Sequence, residues 1–230
     1  MRITVFGANG PTGRLLTDQA LASGHQVVAV TRRPGSLVPR AGLTVAVADA
    51  TDPAAVATAI EGTDAVLSTL GTRFSKNPVT TYSASGTVIT DAMTRQGVTR
   101  LLVVSSNILD PQWRPSGAYF FNHVLDPLVN RRLGRTLHED MRRMEGVIRG
   151  TDLDWTFVRP SGLFDHPVVT AYRTAETSAD GVFTARADLA ASMLREVAER
   201  RYVRTAMGVI TTAVKPSIVK LIWNEGVKKK

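Results

Sequence analysis

Three glycines spaced three apart near the start of the chain restrict its fold more than any other feature. Residues 3–6 form a short apolar run that reads as a buried strand, and the run breaks at Gly7. A helical pattern opens near Thr12, with Leu15, Leu16 and Ala20 on its inward face. Between strand and helix, Gly7, Gly10 and Gly13 give G-x-x-G-x-x-G. A strand that turns sharply into a helix packed against it needs positions without a Cβ. A pyrophosphate brought to the same turn needs close backbone approach, and the free N–H groups of the helix N-terminus give it partners and partial positive charge. The stretch therefore predicts a dinucleotide-binding βα turn.

Composition narrows the setting. At 230 residues, 43% hydrophobic and 21% charged, the sequence fits one α/β domain over residues 1–230 with a sizeable core. The absence of cysteine excludes thiol catalysis, disulfides and cysteine-ligated metals. The first strand leaves no room for a charged-then-apolar leader, and no uncharged run approaches membrane-spanning length, so a cytoplasmic location is expected. The net charge of +8 calls for an anionic partner, but the basic residues are spread among acids, as in 131–149. No clustered basic face with aromatic readers points to nucleic acid, and an anionic cofactor accounts for part of the charge. No group of histidines and acids has metal-ligand spacing, so no metal site is expected.

Strand and helix patterns alternate along the chain. Residues 26–31 form a second strand, at whose end an acid would hold the ribose hydroxyl of NAD; Arg32 and Arg33 stand there instead, and a guanidinium fork suits the 2′-phosphate of NADP. Residues 43–47 are a third strand. Asp52 or Thr51 caps the next helix, leaving Asp49 free where adenine would lie. A fourth strand over 64–69 ends in Leu70, Gly71, Thr72 and Arg73, at the carboxyl end where ligands bind in open sheets. A helix over 79–95 and a fifth strand over 100–104 follow, stopping at Ser105, Ser106 and Asn107. The stretch 108–122 carries Trp113, Tyr119, Phe120 and Phe121, either a lid over a flat ligand or a local mini-core. Residues 124–149 keep helical period, with Gly134 dividing them. Residues 154–158 are a sixth strand from which Arg159, Pro160, Ser161 and Gly162 turn away, and 164–182 read as loop-rich. A helix over 188–200, a strand over 203–211 and a lysine-rich tail over 215–230 complete the chain. The tail's apolar spacing suits packing or dimerisation. The pattern as a whole predicts a doubly wound Rossmann-type parallel sheet flanked by helices, with a small loop-rich C-terminal substrate region and substrate-side loops at 108–122 and 160–185.

With these residues in view, the chain resembles the atypical short-chain dehydrogenase/reductases, and within them the NAD(P)H-binding group that includes biliverdin and flavin reductases. The carriers are G-A-N-G-P-T-G at 7–13, V-T-R-R at 30–33, D-A at 49–50, D-A-V-L-S-T-L-G-T-R at 64–73, V-V-S-S-N at 103–107, G-T-D-L-D-W-T-F-V-R-P at 150–160 and R-A-D-L-A at 186–190. The resemblance implies that Asn9, Gly10, Pro11, Thr12 and Gly13 hold the pyrophosphate and Arg32 the 2′-phosphate. It implies further that Asp49 and Ala50 flank adenine and that Leu70, Gly71, Thr72 and Arg73 line the next part of the cofactor. Ser105, Ser106, Pro160 and Ser161 then surround nicotinamide. The sequence departs from the group at Ser161, where a histidine is usual, and after Asn107.

Typical members of the wider superfamily carry a Y-x-x-x-K pair, and none of the tyrosines here has a lysine four positions on. The nearest arrangement is Tyr119 with His123, where histidine could hold ribose or tune the tyrosine; the alternative is that Tyr119 belongs to the aromatic loop. Reduction of a flavin or quinone spreads charge over a conjugated system and has less need of a dedicated acid. The expectation is therefore an NADPH-dependent reductase of a small planar acceptor, with Ser106 orienting nicotinamide or polarising the acceptor and Tyr119 a candidate acid. The alternative is a non-catalytic NADP(H) sensor like the NmrA-type regulators. A monomer or homodimer is expected in either case.

Overall fold

The computed structural model describes residues 1–72, 77–116 and 134–216 of the chain. Its central strand, β1 (Arg2–Phe6), is buried from Ile3 onward on both faces, which is why the sequence reads there as continuous apolarity. On one side β1 pairs in parallel with β2 (Gln26–Thr31), which pairs with β3 (Leu43–Val47). On its other side come β4 (Ala65–Ser68), β5 (Arg100–Val104) and β6 (Asp154–Pro160), again in parallel. The order of the eight-stranded sheet is β3-β2-β1-β4-β5-β6, then β10 (Thr205–Thr211) and β8 (Tyr172–Glu176). Strand β10 lies parallel to β6, and β8 closes the edge antiparallel to β10. The winding direction reverses between β1 and β4, so the topological switch point, where such sheets open a crevice, lies beside the glycine turn.

Helices cover both faces. Alternation along the strands sends Phe6, Val66, Leu101, Val103 and Phe157 to one side and Val5, Leu67, Leu102 and Val158 to the other. The first set packs under α2 (Pro53–Ala59), α3 (Thr81–Gln96) and α4 (Arg135–Arg149); the second packs under α1 (Pro11–Ala22) and α5 (Arg186–Glu199). Helix α4 shows why a mainly polar sequence still forms a helix: Leu137, Met141, Met144 and Ile148 bury one stripe while Arg135, Arg142, Arg143 and Arg149 face outward. Gly134 is its N-cap, and the 124–133 half of the expected pair of helices lies outside the described residues.

Capping follows chemistry. Asp52 accepts from the N–H groups of Ala54 and Ala55 at 3.0 and 3.3 Å, with Pro53 opening α2. Thr80 gives α3 no side-chain cap; instead the fully buried Asp140 of α4 accepts from the N–H groups of Tyr82 and Ser83 at 2.8 and 3.4 Å. Two buried ion pairs tie strands to helices: Arg100 with Glu196 at 2.8 Å, and Arg159 with Glu145 at 2.7 Å.

The C-terminal third differs in detail from expectation. Strand β6 continues through Arg159 and Pro160, both paired with β10, rather than turning away at Arg159. Its pairing is possible because β10 offers partners beyond Val158, a fact that lies some fifty residues away in the sequence. Short strands stand between the loops of 160–185: β7 (Gly162–Phe164) pairs in parallel with β9 (Phe183–Ala185) as a separate two-stranded sheet. The backbone of Ser178 and Ala179 crosses β10 at Gly208, where a Cβ would lie 2.2 Å from the Ala179 nitrogen.

Candidate functional site

The glycine turn is shaped by three separate close approaches. Gly7 has φ +77°, which only glycine adopts without strain, and a Cβ there would stand 2.9 Å from the Leu70 nitrogen and the Thr69 carbonyl carbon. The Gly10 N–H donates to the Gly7 carbonyl at 2.9 Å and closes the turn. A Cβ on Gly13 would lie 2.2 Å from that same carbonyl oxygen, so α1 rests directly on the turn. The N-cap is Gly10, which supplies no side-chain acceptor; Pro11 follows, and the first turn carries no acid. Among the described residues the N–H groups of Thr12 and Gly13 are therefore without a helical or side-chain acceptor, at the positive end of the helix dipole. The arrangement is that of an anion site at the switch point. Asn9 does not present its side chain freely: its Oδ1 accepts from the Arg14 guanidinium.

At the end of β2, Arg32 and Arg33 are exposed. The Arg32 side chain is 75% accessible and its Nη1 stands 3.9 Å from Asp49 Oδ2, a contact loose enough to yield to a stronger anion. Asp49, expected to be free, is instead engaged. It accepts from the Thr51 N–H at 2.9 Å and the Thr51 hydroxyl at 2.7 Å, because the strand end turns into an Asx-type bend before α2. These bonds, with the Arg32 charge, hold its carboxyl below the usual carboxylate range. Ala50 beside it is buried.

At the end of β4, Thr69 is held to β1 by its N–H and hydroxyl on the Phe6 carbonyl, at 2.9 and 3.1 Å. Leu70 is half-buried, and Gly71 and Thr72 are exposed. The Thr72 N–H donates to the Tyr82 hydroxyl at 3.2 Å. Tyr82, on α3, is buried, and burial raises its pKa above the ordinary tyrosine value. Sequence reading did not single it out, since an aromatic at helical spacing reads as core. Arg73 lies outside the described residues.

The ends of β5 and β6 carry the residues expected around nicotinamide, and most of their hydroxyls are engaged. Ser105 donates to the buried Glu145 at 2.7 Å, and Glu145 is held in turn by Arg159 and by Arg149 at 3.3 Å. Ser161 donates to the Gly181 carbonyl at 3.1 Å and accepts from Asn107 Nδ2 at 3.0 Å. Since Ser161 already gives its proton to a carbonyl, it can only accept from Asn107. That fixes the Asn107 amide orientation and leaves its buried Oδ1 without a partner among the described residues. Ser106 is half-buried, and its hydroxyl accepts from the Ile108 N–H at 3.3 Å, capping a short 3-10 turn over Asn107–Leu109. Pro160 is buried at the end of β6.

Of the aromatic loop, Trp113 belongs to a mini-core: it is buried and donates from Nε1 to the Ala179 carbonyl at 3.0 Å. Asp110 accepts from Ser178, and the Ser116 N–H donates to Asp180, so segments 110–116 and 178–181 brace each other. Tyr119, Phe120, Phe121 and His123 lie outside the described residues, as does the tail over 217–230. His166 makes a local bond with the Val168 carbonyl at 2.8 Å. Among the described residues no group of histidines and acids could hold a metal, and no helix is long and apolar enough to cross a membrane. A recess of about 280 Å³ lined by Arg2, Gln26, Arg40 and Leu43 lies at the amino ends of β1–β3, the opposite end from the glycine turn.

The sequence matches the model of a family described as NAD(P)H-binding over residues 7–200. Solved structures share the fold. A short-chain dehydrogenase/reductase of wide type from Veillonella parvula, in complex with NADP, has a TM-score of 0.76 at 19% identity, covering 94% of this chain and 99% of that one. ChuY, an anaerobillin reductase from Escherichia coli O157:H7, has a TM-score of 0.75 at 22% identity, covering 94% and 100%. A Rossmann-fold NAD(P)-binding family protein from Shigella flexneri has a TM-score of 0.69 at 17% identity, covering 94% and 96%.

Proposed function

The chain belongs to the NAD(P)H-binding family, and on that premise we propose that it is an NADPH-dependent oxidoreductase acting on a small planar conjugated acceptor, such as a flavin or a quinone. The observation that carries the reading is the uncapped, acid-free N-terminus of α1, seated on Gly7 through Gly13 at the switch point of the sheet. Such a terminus fits a pyrophosphate by backbone alone, through Thr12 and Gly13, with Asn9, Gly10 and Pro11 shaping the turn. Arg32 at the end of β2, loosely held by Asp49, supports NADP over NAD, as does the NADP bound to the Veillonella relative. Asp49 and Ala50 flank the adenine, and Leu70, Gly71 and Thr72 line the next stretch.

When bound, the nicotinamide supplies a hydride, two electrons with one proton, to the acceptor. The protein's part is position. Ser106 stands at the end of β5, beside Asn107 and across from Pro160 and Ser161 at the end of β6. The hydroxyls of Ser105 and Ser161 serve the scaffold, which leaves Ser106 as the described serine best placed to meet a ligand. The second proton of a two-electron reduction comes from solvent or, outside the described residues, from Tyr119. A name such as anaerobillin reductase in a structural relative supports reduction as the reaction type. The engagement of Ser105 and Ser161 also favours a second reading, a sensor of NADP(H) that acts through a partner protein, because neither hydroxyl is left for chemistry.

One assay separates the two. Purified protein is given NADPH with a panel of flavins and quinones, and NADPH oxidation is followed by absorbance. Turnover with any member, with a far lower KM for NADPH than for NADH, is the expected result. Tight NADPH binding without turnover on the whole panel overturns the enzyme reading in favour of the sensor.

A further inference from the structure

The loop that follows β2 is tied to the glycine turn by a residue that the motif reading passed over. Arg14 is the fourth residue of α1, and its side chain runs back toward the helix N-terminus, as helical side chains do. Its Nε donates to the Asn9 carbonyl at 3.2 Å, and its Nη2 donates both to Asn9 Oδ1 and to the Ser36 carbonyl, the latter at 2.8 Å. A guanidinium has five N–H groups in a rigid fork. Three are used here, all on neutral oxygens, and the two on Nη1 have no acceptor among the described residues. Among the described residues Arg14 also has no carboxylate within ion-pair distance, whereas Arg40, Arg100 and Arg159 each have one.

Ser36 is the hub of the far side of this link. Its hydroxyl donates to the Arg33 carbonyl at 2.7 Å and stands 3.1 Å from the Thr31 hydroxyl, which accepts from the Arg33 N–H at 3.1 Å. The bend that carries Arg32 and Arg33 is thus folded on Ser36, and Ser36 is held by Arg14. The guanidinium spans the gap between the pyrophosphate turn and the carboxyl end of β2. In a dinucleotide fold that gap is where the adenosine ribose lies.

We propose that Arg14 is a specificity-determining residue, the second cation of the 2′-phosphate subsite. Its open Nη1 edge meets the phosphate while its other donors hold the bend that presents Arg32. The proposal rests on the NADP reading above. It adds that Arg32 alone, exposed and sharing its charge with Asp49, is half of the subsite. Arg14 brings an unshared charge on a fixed fork, the arrangement that discriminates phosphate from hydroxyl most sharply.

The test compares dissociation constants of NADPH and NADH, read by quenching of intrinsic fluorescence, in wild type, Arg14→Gln, Arg14→Lys and Arg32→Ala. Arg14→Gln is expected to weaken NADPH roughly 10- to 100-fold, the worth of charge-assisted bonds to phosphate, and to leave NADH nearly unchanged. Arg14→Lys keeps the charge but not the fork, and falls between. NADH binding reports folding of each variant directly. An equal loss for both cofactors overturns the proposal, since Arg14 then only shapes the turn through Asn9; so does NADPH binding that is unaffected. Loss of preference in Arg32→Ala but not in Arg14→Gln removes Arg14 and keeps the NADP reading. A wild type that binds both cofactors alike removes both.

Discussion

At the carboxyl ends of β1 and β2 the protein presents backbone and unshared charge, whereas at the carboxyl ends of β5 and β6 it presents side chains already bonded to one another. The first region is built from Gly7, Gly10 and Gly13, an uncapped helix N-terminus, and arginines whose partners are loose or neutral. The second is built from Ser105 on Glu145, Arg159 on Glu145, and Asn107 on Ser161 on Gly181. An anion site needs donors without acceptors, and a helix terminus provides them from its own backbone. A surface for a planar acceptor needs a rigid floor, and a buried hydrogen-bonded network provides that. On the proposed function, the same edge of one sheet divides into a part that recognises and a part that supports. The division predicts that mutations in the two parts separate affinity from stability.

The largest expected effect lies in the supporting part. Glu145→Ala removes the acceptor of Ser105 and leaves the buried Arg159 guanidinium with no counter-charge. Breaking a buried pair on one side costs about 3–5 kcal/mol, a large share of the roughly 5–15 kcal/mol that holds a domain of this size together. The denaturant midpoint should fall sharply, while NADPH affinity of the folded fraction stays near that of wild type. Glu145→Gln, which still accepts from Ser105, should lose less. A Glu145 variant with normal stability and abolished cofactor binding would erase the distinction between the two regions.

The recognising part should behave in the opposite way. In Gly13→Ala the new Cβ would meet the Gly7 carbonyl oxygen at 2.2 Å and Ala8 Cα at 2.7 Å, both backbone atoms, so α1 must shift on its turn. Overpacking of this kind costs about 1–3 kcal/mol of stability. Displacing the amide groups of Thr12 and Gly13 by even a fraction of an ångström is expected to weaken NADPH and NADH alike, by roughly 100-fold. Equal loss for both cofactors is the mark of a pyrophosphate site and contrasts with the NADPH-selective loss expected at Arg14.

What the sequence made legible follows the same division. The glycine turn could be read because its constraint is on residue type at fixed short spacing. The strands at Gln26–Thr31, Leu43–Val47 and Arg100–Val104 could be read to the residue because Arg32, Gly42, Arg100 and Ser105 stand at ends of the apolar runs. Strand β8 was missed because Tyr172–Glu176 is an edge strand with no buried residue, so no alternation marks it. The engagement of Ser105 and Ser161 was equally invisible, since their acceptors lie 40 and 20 residues away. Asp49 reads as free because either Asp52 or Thr51 can cap the helix; Asp52 takes that role, and Thr51 turns to Asp49 instead.

Tyr82 lies where the two regions meet and gives the smallest effect. Its hydroxyl holds the Thr72 N–H at the end of β4, next to the backbone that Gly7 touches. Tyr82→Phe removes one oxygen and no packing. Thr72 is exposed, so water can replace the lost acceptor, and the net loss is about 0.5–1.5 kcal/mol at most. If the β4 loop belongs to the recognising part, that loss appears as a few-fold rise in the KM for NADPH with kcat unchanged; a change in stability alone would assign the loop to the scaffold. A pH series sharpens the choice. Burial, reinforced by the Asp140 charge and opposed by the Thr72 bond, keeps the Tyr82 proton bound in the fold beyond the ordinary tyrosine range. Above about pH 10 the unfolded chain releases this proton first, so stability falls as pH rises. Tyr82→Phe lacks that component, and its midpoint should decline less steeply on the alkaline side while matching the wild-type slope near neutrality. A variant whose alkaline slope equals that of wild type would mean that the hydroxyl is not enclosed as Thr72 and α3 require, and the β4 loop would then be held by Thr69 alone.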